Sequence, residues 1–356
     1  MNAGAPDRNL CAEMLATQIR RHGPITMADF MEAAVDAYYA KGDVFGTHGD
    51  FTTAPEISQV FGELIGLWAA VTWQHMGAPT PFYLVECGPG RGTLMSDVLR
   101  ATSQVEGFSE AADVRFVERS ASLKAIQRKA LGERPVQWHE TLEDVPAGPF
   151  ILIGNEFLDA LPVRQFEKTA KGWSERCVTL DDNGAFKLLR RPVPNFPDPT
   201  EAAKGAIVEV SPAVDAVIEQ VAAAVARYNG AALFIDYGHM QSGMGDTLQA
   251  VKDHQFADVL AMPGEVDLTA HVDFGRVAQV AAAGGAKVHG PVEQGTWLTK
   301  LGVHLRAARL TDGKSAEVVA SIDAGVSRLV NGDAMGALFK VIAFTAPHAP
   351  APEGFA

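Results

Sequence analysis

Apolar positions along this chain change rhythm near residue 81. Before that point the spacing is helical. Thr26-Met27-Ala28-Asp29 has the form of a capping box, with Ile25 and Phe30 placed as a hydrophobic staple. A second helix start lies at Thr53-Ala54-Pro55-Glu56, and behind it Ile57, Phe61, Leu64, Ile65, Trp68 and Val71 share one helical face. From Pro81 onward, apolar runs of strand length alternate with amphipathic stretches, which predicts an α/β fold with a mostly parallel sheet covered on both faces. Strands are predicted at 82–86, 113–118, 135–138, 149–154, 231–236, 247–251, 286–289 and 337–345. Helices are predicted near 92–101, 120–131, 211–228, 273–283, 293–310 and 314–331.

Residues 163–210 break this alternation. Two strand-like runs flank the hairpin signal Asp181-Asp182-Asn183-Gly184, and a proline-rich connector follows at 191–199. An antiparallel β insertion is expected there. The organisation predicted is an N-terminal helical region over 1–80, a main domain over 81–345 carrying the insertion, and a flexible tail at 346–356.

Composition adds limits. At 356 residues, 47% hydrophobic and 21% charged, the chain is ordinary globular protein with a large core. A net charge of −13 disfavours nucleic acid and suits a cationic ligand. Cys11, Cys87 and Cys177 form no CxxC pair and no metal spacing, so free thiols in a reducing compartment are expected. No apolar run reaches membrane-spanning length, and the first residues lack a signal or transit pattern. A cytoplasmic location is the expectation.

Candidate chemistry concentrates at strand ends. Residues 82–94 read as strand, glycine-rich turn and helix, with Glu86, Gly88, Gly90 and Gly92 at alternate positions. Glycines there let a ligand approach the backbone, and the helix start offers unpaired N–H groups. A dinucleotide fingerprint is incomplete, because Thr93 stands where its last glycine belongs. The next predicted strand ends in Glu118, placed to accept the two ribose hydroxyls of an adenosyl ligand, although a strand-terminal Glu is also often merely solvated. Trp138 or His139 could flank an adenine, or serve as ordinary sheet residues. The polar loop Gly46–Thr53 could be a plain connector or could fold over the ligand; in the second case Thr53 and Pro55 reach the cofactor.

The fourth strand runs into Asn155-Glu156-Phe157-Leu158-Asp159. Open α/β sheets bind ligands outside the carboxyl ends of their strands. Glu156 and Asp159 would therefore face the ligand, and if an acceptor there is a guanidinium the two carboxylates can hold it in a forked geometry; Asn155 lies either at the ligand or capping a helix. The fifth strand ends Asp236-Tyr237-Gly238, again in the plane of the site. His271 with Asp267 and Asp273 fits no usual metal spacing, and Asp273 reads better as a helix cap, so no metal is assigned. Neither a G-x-S-x-G elbow nor a Walker loop occurs.

Four segments together resemble the MidA family: 49–56 (Gly-Asp-Phe-Thr-Thr-Ala-Pro-Glu), 86–92 (Glu-Cys-Gly-Pro-Gly-Arg-Gly), 154–162 (Gly-Asn-Glu-Phe-Leu-Asp-Ala-Leu-Pro) and 267–274 (Asp-Leu-Thr-Ala-His-Val-Asp-Phe). The resemblance spans nearly the whole chain, with Ala37 before Tyr38-Tyr39 where family members often carry Gly. It implies a class I, Rossmann-like methyltransferase using S-adenosyl-L-methionine (SAM). It further implies a protein substrate, since the family's mitochondrial branch methylates arginine in a subunit of respiratory complex I. On that basis Glu86, Gly88, Gly90, Gly92, Glu118, Asn155, Thr53 and Pro55 would bind the cofactor, and Glu156 and Asp159 would be catalytic. The competing readings are a SAM-binding assembly factor with little catalysis and an NAD-linked oxidoreductase, the latter disfavoured by Thr93.

Overall fold

The computed structural model describes residues 9–42, 53–197, 202–252 and 255–355. The chain divides into two compact units. One comprises 1–44, 160–214 and 243–270; the other comprises 45–159, 215–242 and 271–356.

The larger unit is built on a sheet whose strands are β1 (Phe82–Cys87), β2 (Ala112–Val117), β3 (Val136–His139), β4 (Phe150–Asn155), β5 (Ala231–His239), β6 (Lys287–Glu293) and β7 (Phe339–Thr345). Their spatial order is 3-2-1-4-5-7-6. Strands β1 to β5 run parallel, whereas β7 is antiparallel to β5 and β6 to β7. A short strand, Val272–Asp273, pairs with the end of β5. The order reverses direction between β1 and β4, where a crevice opens at the carboxyl ends. Register aligns Glu86 with Phe116 on one side and Ile153 on the other, so these three side chains form one row on one sheet face.

The central strands β1, β4, β5 and β7 are apolar nearly throughout because both faces are covered. Leu84, Phe116, Ile151, Ile153, Leu233 and Ile235 pack against Leu94 and Val98 of helix Thr93–Thr102 and against Phe61, Ile65 and Trp68 of helix Gln59–His75. The helical stripe at 57–71 is therefore buried, but not within an N-terminal region reaching to residue 80. Helix Gln59–His75 belongs to the sheet unit, and the Trp73 ring centroid lies 6.1 Å from that of Phe82 and 5.5 Å from that of Phe108. The last residues are also packed. Phe355 lies 6.2 Å from the Trp297 ring, and Pro352 and Gly354 are buried, which corrects the flexible tail expected for 346–356. Gly302, at φ 85°, interrupts the helix expected over 293–310, giving Gln294–Lys300 and Val303–Thr311.

The smaller unit joins helices Leu10–His22 and Met27–Ala40 to an antiparallel sheet made of Ile25–Thr26, Arg164–Thr169, Gly172–Leu180, Phe186–Pro192 and Ile207–Val210. The capping box at Thr26 and Asp29 forms as expected. The turn at 181–184 closes with Asp181 accepting the Asn183 and Ala185 N–H groups. The strand expected at 247–251 exists as Gln249–Lys252. It lies in a separate three-stranded antiparallel sheet of this smaller unit, not in the parallel sheet.

Candidate functional site

The glycine turn after β1 needs its glycines. Gly88, Gly90 and Gly92 all adopt positive φ, at 61°, 51° and 81°. Side chains rarely tolerate that region. A Cβ on Gly88 would also lie 3.2 Å from the Phe157 ring, which brings the turn against the end of β4.

Gln127 organises the far side of this turn. It is fully buried in helix Ala121–Leu131. Its amide donates to the Gly90 carbonyl at 2.9 Å and to Glu118 Oε2 at 3.0 Å, and its oxygen accepts from Trp138 Nε1 at 2.8 Å. Glu118 Oε1 accepts the Ser120 N–H at 2.8 Å. Burial raises the Glu118 carboxyl above its ordinary range, with these hydrogen bonds opposing the shift. Glu118 is thus a fixed acceptor beside the glycine turn. The sequence signal for Gln127 was a polar side chain on the apolar stripe Leu123–Gln127–Leu131. Trp138 hydrogen-bonds to Gln127 while His139 lies 3.4 Å from Arg115 Nη1.

At the end of β4 the chain makes a strained turn. Glu156 adopts φ 49°, unusual for a residue with a side chain, and its N–H donates to the Ile235 carbonyl at 2.9 Å. Asp236, on β5, holds the next three residues. Its Oδ2 accepts the N–H groups of Phe157, Leu158 and Asp159 at 3.1, 2.9 and 3.2 Å, and its Oδ1 accepts from Tyr237 N at 3.0 Å. Glu156 Oε1 accepts from Ala54 N at 3.0 Å and from Asn155 Nδ2 at 3.1 Å. Three carboxyls therefore share one corner. Burial, then Asp159 and Glu156, push Asp236 well above the usual carboxylate range. Burial and Asp159 push Glu156 to about 7, against the N–H of Ala54.

These contacts place the sequence-derived residues. Glu86, Gly88, Gly90, Gly92 and Glu118 gather around the glycine turn. Asn155, Glu156 and Asp159 gather at the end of β4, joined by the turn that carries Thr53 and Pro55. Asn155 is not a helix cap. Its amide nitrogen serves Glu156, and its buried Oδ1 has no hydrogen-bond partner among the described residues. The buried Glu86 Oε2 likewise has none, and burial holds its carboxyl far above the usual range. Two orphaned acceptors beside a left-handed glycine cradle fit an adenosyl ligand with hydroxyl and ammonium donors. Asp273 does cap its helix, accepting from Arg276 N at 2.9 Å. The loop expected to fold over the ligand falls mostly on 43–52, outside the described residues; only its end, from Thr53, is described. A cavity of about 510 Å³, lined by Val145, Phe150 and Tyr228 among others, contains none of the site residues.

Comparison with known proteins gives the same answer. A family model for S-adenosyl-L-methionine-dependent methyltransferases matches residues 64–292. The chain belongs to this family. It is 37% identical to the rat and human proteins named protein arginine methyltransferase NDUFAF7, mitochondrial, over 94% of this chain and 84% and 82% of theirs. A Burkholderia thailandensis crystal structure bound to S-adenosyl-homocysteine superposes with a TM-score of 0.87 at 29% identity, covering 99% of this chain and 97% of that one. A second structure from the same organism gives 0.86 at 31% identity. The MidA resemblance read from four motifs and the class I sheet are thereby established, and SAM is the cofactor of this methyltransferase.

Proposed function

We propose that this methyltransferase acts on arginine side chains of a protein, and that Glu156 and Asp159 receive the guanidinium. The observation that carries the reading is the corner formed by Glu156, Asp159 and Asp236 beside the glycine turn. Burial and the charge of Asp159 hold Glu156 and Asp236 above the usual carboxylate range, so the corner favours a cation that restores the ionised forms of these two. Guanidinium suits it because its planar fork matches paired carboxylates. The names of the relatives support the same acceptor. The family resemblance extends it to a complex I subunit.

Glu86, the three glycines, Glu118 and Asn155 would hold SAM, Glu118 at the ribose hydroxyls, with Thr53 and Pro55 in the adjoining turn. When bound, SAM supplies an electrophilic methyl group on a sulfonium sulfur. Glu156 Oε1 is engaged by Ala54 and Asn155, which leaves Oε2 for the acceptor. A carboxylate there would draw the guanidinium charge toward the nitrogens it contacts and aim one nitrogen at the methyl group. Transfer would leave the sulfur as a neutral thioether, and Glu156 Oε2 would accept the proton that the methylated nitrogen sheds. The gain comes from positioning and electrostatics.

The test is incubation with isotope-labelled SAM and arginine-bearing proteins, followed by mass spectrometry. Labelled methylarginine is expected with the parent and not with Glu156→Gln. SAM binding without any labelled arginine would favour the non-catalytic assembly factor instead.

A further inference from the structure

Glu56 ties separate parts of this site together. Its carboxylate accepts the Thr93 hydroxyl and pairs with Arg91 Nη1 at 3.5 Å. Thr93 opens the helix after the glycine turn, and its cap, Gly92, has no side chain to offer the helix start. A carboxylate is favourable there. Glu56 itself lies in the single turn Ala54–Ile57, closed by Glu56 and Ile57 N–H groups donating to the Thr53 carbonyl at 2.9 and 3.2 Å. That turn is wedged in place. Ala54 is fully buried, and a Cβ on Gly325 would lie 3.1 Å from the Ile57 carbonyl. Its first N–H, from Ala54, is the one that donates to Glu156 Oε1.

We propose that Glu56 is a positioning residue for methyl transfer: by fastening Ala54–Ile57 to Thr93 and Arg91, it holds the Ala54 N–H against Glu156 and fixes where that carboxylate points. The inference rests on Glu156 receiving the acceptor. It makes the cofactor-side turn and the acceptor-side carboxyl one mechanical unit. A displacement of the order of 1 Å at a reacting group costs about a hundredfold in rate, so loss of the fastening should cost roughly tenfold or more.

The test compares Glu56→Ala, Glu56→Gln, Thr93→Val and the double variant Glu56→Ala/Thr93→Val. Glu56→Ala and Thr93→Val should each lower kcat about tenfold while SAM affinity stays within about threefold. The double variant should be no slower than the worse single one, because both remove one contact. Glu56→Gln keeps an acceptor for Thr93 and should recover most of the rate. The charged groups facing Glu156, namely Asp159, Asp236 and Arg328, are untouched in these variants. Its titration therefore reports the Ala54 N–H, which favours the ionised form. In protein labelled with carboxyl-¹³C glutamate and free of SAM, the resonance lost in Glu156→Gln should titrate at higher pH in Glu56→Ala. A folded Glu56→Ala with the parental kcat and parental titration, alongside an inactive Glu156→Gln, would overturn the proposal. Should Glu56→Ala not fold, Thr93→Val decides by the same two readouts. If Glu156→Gln itself kept the parental rate, the acceptor reading would fail, and the carboxyl titration would still decide whether Glu56 positions Glu156.

Discussion

Asp236 Oδ2 accepts the Leu158 N–H at 2.9 Å across 78 positions of sequence. The same oxygen takes the N–H groups on either side, so one carboxylate oxygen shapes the whole turn after Glu156. Three donors converging on a buried oxygen offset part of the cost of burying it. They also explain how Glu156 can persist at φ 49°, a conformation that costs of the order of 1 kcal/mol or more when unsupported.

Asp236→Asn should therefore destabilise the protein by about 2–3 kcal/mol. The amide retains one oxygen for the three N–H groups and turns its nitrogen toward the Tyr237 N–H, placing donor against donor. The urea midpoint should fall with an unchanged slope, and methyl transfer should fall with it. A midpoint matching the parent would show that the carboxylate does not hold the turn.

Glu156 gives a pH signature in two measurements. Its carboxyl stands at about 7 in the fold against an ordinary 4.5. With the ionised form required, kcat/KM should rise about tenfold per pH unit up to about 7 and flatten above. Asp159→Asn should move that limb to lower pH, since Asp159 raises the Glu156 value. Stability runs the other way. Between 4.5 and 7 the folded state holds a proton that the unfolded chain has released, so this residue costs stability as pH rises through that window. Glu156→Gln removes the cost. Its stability relative to the parent should improve from about pH 5 to about pH 8, by about 1–2 kcal/mol once partial solvent contact is allowed for. A pH-independent difference would contradict the assignment.

Gln127→Leu keeps the volume of a buried side chain and removes its three hydrogen bonds. Glu118 and the Gly90 carbonyl would lose their anchor, and Trp138 Nε1 its acceptor. SAM affinity, measured by calorimetry, should weaken about tenfold or more, with a smaller effect on kcat at saturation. Parental affinity in a folded variant would remove Gln127 from the cofactor site.

Deleting residues 352–356 should destabilise the larger unit by about 1–3 kcal/mol, because Phe355 covers Trp297, which is wholly buried. Gly354→Val should act similarly. Gly354 sits at φ 87°, and a Cβ there would meet the Trp297 ring at 2.4 Å. An unchanged melting temperature in both variants would restore the view of this segment as a loose tail.

The features that the sequence determined by itself depend on neighbours in the chain. The strand–glycine–helix turn at 82–94, the acid Glu118 directly after β2 and the capping box at Thr26 and Asp29 are local patterns, and each formed where the spacing placed it, to within a residue. The carboxylates Glu156 and Asp159 were legible because a parallel strand delivers its last residues to the ligand edge. Tertiary structure alone decided the rest. An apolar stripe states that a face is buried but not against what, so helix Gln59–His75 went to the sheet unit and strand Gln249–Lys252 to the smaller one. Asp236 stood at a visible strand end, yet its three donors come from a turn it meets only through the pairing of β5 with β4. Gln127, Glu56 and the Ala54 N–H acquire their roles in the same way. Their partners lie 37, 37 and 102 positions distant, and hydrogen bonds between residues so separated exist only once the sheet has closed the intervening loops.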